Sequence, residues 1–423
     1  MYNFLKLGCV IALIFQLILS NLAAASLAFT QEQAVVYALQ HNPGLNAART
    51  TINRVQGYRQ EAGRWQNPEL SIDYATDQTF NNEGQYGYSL GFEQRFPVTN
   101  RLRLQKSIAQ DEIELAQAEV ANQVRLLRQK VEASVAATTA LQAQIRLRDE
   151  CLVLNRKFAR FMESRVDFGE ISSLELNQVQ IELYAVEQEK QELMDMRLLE
   201  LANLKQLIGI GVDTELIFKH QFKLPRMQPQ FTSLTQEMLM QHPEYLMKTL
   251  LYRISDKRIS VAKAERWADI AVRVFFEEER SVDDPGRLST DHFFGAGVSI
   301  PLPLMDRKEG LLQASRAEQR QIKYELDQVR LKLRSEVSTQ ATRAMSLYQQ
   351  VRGYNQNLTQ LVKENIAEVK MAYGAGQISL AELFRSQEQG LRMQSAQLTK
   401  LHDFEQAIIA WKAATAQVFP VIQ

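Results

Sequence analysis

Two stretches of this 423-residue chain, some 200 positions apart, carry the same succession of signals, so the chain must build one plan twice. Gln40-His41-Asn42-Pro43 is answered by Met240-Gln241-His242-Pro243. Trp65 and Trp267 each open a short alternating stretch. Gly91-Phe92-Glu93-Gln94-Arg95-Phe96-Pro97 is answered by Gly297-Val298-Ser299-Ile300-Pro301-Leu302-Pro303, and Gly169-Glu170-Ile171-Ser172 by Gly376-Gln377-Ile378-Ser379. The offset drifts only from 200 to 207. That period is too long for a solenoid repeat, which runs to about 50 residues. What recurs is a supersecondary module.

Each module begins with helix. Phe29 to Arg64 reads as one, with Thr30 as N-cap and Gln33 three residues on. Asn67-Pro68 ends it, because proline pushes its predecessor out of the helical region. The period then changes from 3.6 to 2. Leu70, Ile72 and Tyr74 alternate with Ser71, Asp73 and Ala75; after a polar turn containing Asn81-Asn82, Tyr86, Tyr88, Leu90 and Phe92 alternate with Gly87, Ser89, Gly91 and Glu93. The second module answers with Ile270, Val272, Val274 and Phe276, then Phe294, Ala296, Val298 and Ile300. These strands predict one apolar or aromatic face and one small or polar face, at about ten residues each, the length of a tilted strand that crosses a bilayer.

The remainder predicts long helix. No proline falls between Pro97 and Pro225, or between Pro303 and Pro420. Heptad series such as Ile113, Val120, Leu127, Leu141 and Val124, Val131, Ile145, Leu152 predict helices packed side by side. Gly169 and Gly376 mark the fold-back of each hairpin, and the stretch from Pro97 to Gly169, as one helix, would reach about 110 Å at about 1.5 Å per residue. An arm of that length covers distance rather than enclosing a core.

Composition limits the chemistry. The 49 basic and 49 acidic residues balance, which gives no electrostatic ground for a nucleic-acid partner. Lys6, the apolar run Leu7 to Leu19 and Ala23-Ala24-Ala25 predict a secretory signal over residues 1–25, with Cys9 inside it and Cys151 as the one cysteine of the mature chain. His41, His220, His242, His292 and His402 are scattered away from any ligand spacing. Met238, Met240 and Met247 suit a core as well as a soft metal. No nucleophile–base pair, phosphate loop, metal or cofactor site is expected, and no enzyme.

Four strands cannot close a barrel, and an open sheet edge in lipid leaves unpaired backbone groups. Strands from several chains must therefore share one barrel, with the helical hairpins forming a tube that continues from it. At this point the sequence resembles the TolC-type outer-membrane efflux proteins, and within them the heavy-metal branch typified by CzcC. The resemblance rests on Ala38-Leu39-Gln40-His41-Asn42-Pro43, Asn67-Pro68-Glu69-Leu70, Gly297 through Arg307, and Tyr373-Gly374-Ala375-Gly376-Gln377-Ile378-Ser379-Leu380-Ala381-Glu382-Leu383. It spans Phe29 to Phe419.

The resemblance implies an α+β membrane protein: a homotrimer with a shared transmembrane β-barrel of four strands per protomer, continuing into a long periplasmic α-helical coiled-coil barrel. After the signal peptide the expected divisions are a first module over 26–212, an inter-module linker in an equatorial region over 213–232, and a second module over 233–423. Implied partners are outer-membrane lipid, a periplasmic adaptor (membrane fusion) protein and an inner-membrane pump of the RND type, with the protein in the outer membrane of a Gram-negative bacterium. Family tips contact the adaptor, which points to Phe168, Gly169 and Glu170 and to Ala375, Gly376 and Gln377. Family apertures carry an acidic position on the returning helix, matched by Glu175 and Glu382. The second acidic position of the family is not kept, being Gln178 in one copy and Arg385 in the other.

The expected function is a passive exit duct of a tripartite efflux system, for heavy-metal cations by the branch resemblance. Drug efflux and type I protein secretion are the alternatives within that class; a periplasmic adaptor or a structural coiled-coil protein are the alternatives outside it.

Overall fold

The computed structural model describes residues 27–79, 83–219, 222, 228–283, 287–354 and 356–416. The expected signal 1–25 with Cys9, the Asn81-Asn82 turn, His220, Pro225, Phe419 and Pro420 lie outside the described residues. In chain order the elements are β1 (Leu27–Phe29), α1 (Gln31–His41), α2 (Pro43–Glu61), β2 (Glu69–Thr76), β3 (Tyr86–Phe96), α3 (Arg101–Asp167), α4 (Ser173–Ile208) and β4 (Leu216–Phe218). There follow α5 (Gln236–Gln241), α6 (Pro243–Ala264), β5 (Ile270–Asp283), β6 (Arg287–Ser299), α7 (Glu309–Gly353), α8 (Gln356–Gly374) and α9 (Leu380–Thr415). The order helix pair, strand pair, long helices thus occurs twice.

The helix expected over Phe29–Arg64 is broken in two. Thr30 does cap it, with Gln33 N–H donating to Thr30 Oγ1 and Thr30 N–H to Gln33 Oε1, but Phe29 belongs to β1 and Asn42 leaves the helix at φ −63°, ψ 118°. The cause is Pro43, which forbids helical ψ at its predecessor and starts the next helix at its first position. The second copy breaks in the same way, His242 sitting at φ −68°, ψ 123° before Pro243. The repeated His-Asn-Pro and Gln-His-Pro signals are therefore helix corners. Asn42 fixes its corner twice, accepting from Leu45 N–H at 2.8 Å and donating to the Leu207 carbonyl at the end of α4 at 2.9 Å.

The chain divides into two units. One comprises Met1–Ala47, Asn122–His242 and Lys332–Gln423. Within it β1 pairs in parallel with β4, Leu27 opposite Leu216, so the expected linker contributes a strand. Three-residue strands carry too little alternation to be read from sequence. The middle of α3 is enclosed nearly all round here: Val131, Val135 and Ala136 are fully buried, and Ser134, Thr138 and Ala140 are buried beside them. A second core gathers Ala344, Leu347, Tyr348, Val351 and Phe404.

The other unit comprises Ala48–Ala121 and Pro243–Leu331. It holds a four-stranded antiparallel sheet in the order β2-β3-β5-β6. Helix α6 is tied to the first part of α3 by charge: Asp111, 5% exposed, is bracketed by Lys257 and by Arg253 at 3.2 Å. A buried carboxylate needs such partners, because an unpaired one is strongly destabilising. No helix among the described residues is long and apolar enough to cross a membrane.

Candidate functional site

The two fold-back points are built alike. Gly169 (φ +71°) and Gly376 (φ +70°) both occupy the left-handed region, where only glycine sits without strain. Gly169 N–H donates to Val166 O and Glu170 N–H to Arg165 O, both at 2.9 Å; Gly376 N–H donates to Tyr373 O and Gln377 N–H to Ala372 O at the same distance. This paired pattern satisfies the last carbonyls of a helix in a Schellman turn. Ile171 and Ile378 then fold back onto a shared core of Phe158, Met162, Val179, Tyr373, Leu380 and Leu383. Three residues beyond each glycine, Ser172 and Ser379 cap the returning helices.

The copies differ at the next position. Glu382 completes a capping box: its carboxylate accepts from Ser379 N–H at 2.9 Å while Ser379 Oγ accepts from Glu382 N–H at 3.2 Å. These bonds hold the Glu382 carboxyl below its usual range. Glu175 occupies the same position after Ser172 but reaches across to the other hairpin, where its Oε2 accepts from Tyr373 Oη–H at 2.8 Å. Burial first, and then this bond, push the Tyr373 phenol up to about 12. Tyr373 also packs edge-on against Phe158, ring centres 5.5 Å apart. Arg165 makes a second crossing, donating to Glu170 Oε2 at 2.7 Å and to the Gly374 carbonyl at 3.5 Å.

The tip residues Phe168, Gly169, Glu170, Ala375, Gly376 and Gln377 are all exposed, Phe168 at 80%. Nothing lies within 4 Å of a Cβ placed on either tip glycine. Gln178, Glu382 and Arg385 are exposed, whereas Glu175 is half-buried. The structure therefore brings Glu175 to Tyr373 and leaves Glu382 with its own helix. Sequence reasoning missed Tyr373 and Arg165 as the groups that link the hairpins. Tyr373 belonged to a quoted motif, but a partner 198 positions away leaves no spacing signal.

The sheet has two unlike faces. By register, Leu70, Phe92, Val274 and Ala296 form one row and Ile72, Leu90, Phe276 and Phe294 the next. Leu70, Ile72, Tyr74 and Phe294 are between 62% and 80% exposed. A row of Tyr74, Tyr88, Glu278 and His292 follows, and Tyr86 Oη–H donates to Glu278 at 2.9 Å. On the opposite face the corresponding rows are Ser71, Gly91, Phe275, Gly295, then Asp73, Ser89, Glu277, Phe293, then Ala75, Gly87, Glu279, Asp291. Phe275 lies over Gly295, where a Cβ would run into its ring, and Arg273 lies over Gly91. Small residues on this face let large side chains lie against the sheet wall.

Among the described residues no group of three His, Cys, Asp or Glu side chains could hold a metal ion. His41 stacks on Tyr37 at 3.9 Å, His242 is fully buried at a helix corner, and His402 lies against Gln406. Burial raises the Cys151 thiol above its usual value.

Residues 34–210 match the family model described as outer membrane efflux protein. No curated protein sequence matches the chain. Solved structures match nearly all of it. The crystal structures of CusC, described for folding and transmembrane channel formation, align with a TM-score of 0.72 at 16% identity, over 91% of this chain and 92% of that one. The outer membrane protein VceC of Vibrio cholerae aligns with a TM-score of 0.70 at 17% identity, over 91% and 95%. The Campylobacter jejuni CmeC outer membrane channel aligns with a TM-score of 0.76 at 13% identity, over 91% and 85%. The first half of the chain carries the sequence pattern of that family, and the chain as a whole carries the fold of these channels.

Proposed function

We propose that the chain is an outer membrane efflux protein, the exit channel through which a tripartite assembly passes its cargo out of a Gram-negative cell. The observation that carries this reading is the sheet with one exposed apolar face and one polar face. Five rows of side chains, from Phe96 and Ile270 to Tyr74 and Tyr88, extend roughly 27 Å along the strands at about 3.4 Å per residue. That is comparable with the apolar band of about 25 Å on outer-membrane barrels. Strands β2 and β6 are edges, and lipid does not tolerate unpaired edges. Three copies sharing twelve strands remove them, which favours the homotrimer.

The exposed tips then face a periplasmic adaptor, with a close approach at Gly169 and Gly376, and the Glu175–Tyr373 and Arg165–Gly374 bonds hold the two hairpins of one chain together at the closed end. Gln178, Glu382 and Arg385 line the aperture together with Glu175, whose carboxylate also accepts from Tyr373. For cargo we favour metal cations delivered by an RND-type pump. The branch resemblance supports this, and so do Asp73, Glu277, Glu279 and Asp291 on the polar face, since carboxylates along a pore favour cations.

Cell fractionation tests the channel. The expected result is a heat-resistant trimer that needs detergent and lies in the outer membrane; a periplasmic soluble product would support an adaptor or coiled-coil protein instead. Deleting the gene and challenging cells with zinc, copper, cobalt and cadmium salts tests the cargo. Unchanged metal tolerance with increased sensitivity to organic antibiotics would move the assignment to drug efflux.

A further inference from the structure

Where helices and sheet join in the second unit there is a cavity of about 460 Å³. Arg64, Arg95 and Arg101 line it, together with Glu61 and Asp269. Arg101 donates to both oxygens of Asp269 through one terminal nitrogen, at 2.8 and 3.0 Å, so its other donors are not used on that carboxylate. Arg64 meets Glu61 at 3.2 Å, but both side chains are more than 60% exposed. Arg95 meets Glu93 at 3.3 Å and Glu69 at 3.9 Å, which holds it on the polar face of the sheet. An exposed pair such as Arg64–Glu61 contributes little, so Arg64 is open to a better anion.

Besides Gln66 and Gln105, the rest of the lining is apolar or aromatic. Trp65, 59% exposed, packs edge-on against Phe96 with ring centres 5.7 Å apart. Phe96 ends the apolar face of β3, so the cavity lies on the border between that face and charged side chains. Indole rings favour the level where acyl chains meet headgroups, and a guanidinium fork matches phosphate oxygens. The arrangement is also repeated: Arg266-Trp267 precedes β5 as Arg64-Trp65 precedes β2, with Arg266 and Trp267 both exposed. A free inorganic anion would use the cations and leave the Trp65 surface without a partner.

We propose that this cavity seats the phosphodiester headgroup of a phospholipid from the leaflet bordering the helices, with Arg64 on the phosphate and Trp65 against the glycerol and first methylenes. The proposal rests on the channel reading, since a membrane-spanning sheet is what brings a leaflet to this border. The seat fixes the depth of the barrel and the join between barrel and helices.

Native mass spectrometry of the delipidated trimer, supplied with dioleoylphosphatidylglycerol, tests it. Wild type is expected to retain the lipid; Arg64→Gln should weaken retention about tenfold, the size of one lost charged hydrogen bond. Arg64→Lys keeps the charge and should recover most of the binding, which separates lost recognition from misfolding. Equal retention by the glutamine variant overturns the seat, as does displacement by equimolar inorganic phosphate, which would make it a soluble-anion site. A wild-type chain found outside the outer membrane overturns the channel reading and the seat with it, whereas an embedded trimer indifferent to these changes overturns the seat alone.

Discussion

At the scale of single residues, one carboxylate position does two jobs in the two copies. Both copies read Ser-x-x-Glu, a capping box in sequence. Glu382 makes that box, whereas Glu175 gives its carboxylate to Tyr373. The family resemblance points to both glutamates but does not separate them, because the difference is made by a tyrosine on another hairpin. A double-mutant cycle of Tyr373→Phe and Glu175→Gln is expected to give a coupling of about 1–2 kcal/mol, within the range for hydrogen bonds in folded proteins. A coupling near zero would mean the bond contributes nothing in solution. The phenol also sets a pH dependence. Its folded value of about 12 lies above that of an unfolded tyrosine, so its contribution is complete below about pH 10 and is lost as pH rises towards 12. Thermal melting followed by circular dichroism from pH 9 to 11.5 should show a destabilisation on the alkaline side that Tyr373→Phe reduces. Ser379→Ala removes the cap of α9 and should cost about 1 kcal/mol, measured by chemical denaturation.

At the scale of elements, long periodic segments were legible and short irregular ones were not. Among the heptad positions read from sequence, Ile113, Leu127, Val131, Ile145 and Leu152 are buried, because a seam repeated over many turns can face only one way. The corners at Asn42-Pro43 and His242-Pro243 show in the sequence as a repeat and not as breaks, since helical residues flank them on both sides. The tip glycines read as turns, and their positive φ values give the reason for that residue type. Space around both is open, so a side chain there meets no neighbour and acts through backbone strain, about 1–2 kcal/mol per residue, and through bulk at the tip. This separates two effects. Gly169→Ala with Gly376→Ala should lower stability modestly and retain transport, while Gly169→Trp with Gly376→Trp should stop transport with the trimer still assembled. Efflux assays beside detergent-gel analysis of both variants check this; full transport in the tryptophan variant would remove the tips from adaptor contact.

At the scale of the whole molecule, the sheet is the part whose exposure a single chain does not explain. Phe294 is 80% exposed on edge strand β6, and Leu70 and Ile72 are more than 60% exposed on edge strand β2. In water such a surface, flanked by two unpaired edges, would aggregate. Alternation alone indicated which residues share a face, but it did not say what covers them, because lipid and a second protein layer demand the same pattern. The two faces make opposite predictions under substitution. Arginine at Ile72 or Phe294 would sit in the apolar row between the central row and the Tyr74–Tyr88 row, where a lipid-facing cation costs up to about 2–4 kcal/mol, the midplane value. Ser71→Arg places the same charge one residue away on the polar face, where water can solvate it. If the faces have these environments, Ile72→Arg and Phe294→Arg should sharply reduce the trimer recovered from outer membranes, and Ser71→Arg should leave the yield near wild type while changing ion selectivity in planar bilayers. A soluble particle that buries the apolar face against protein would also reject Ile72→Arg, but it would yield Ser71→Arg without detergent. The detergent requirement of Ser71→Arg therefore decides whether the apolar face meets lipid or protein.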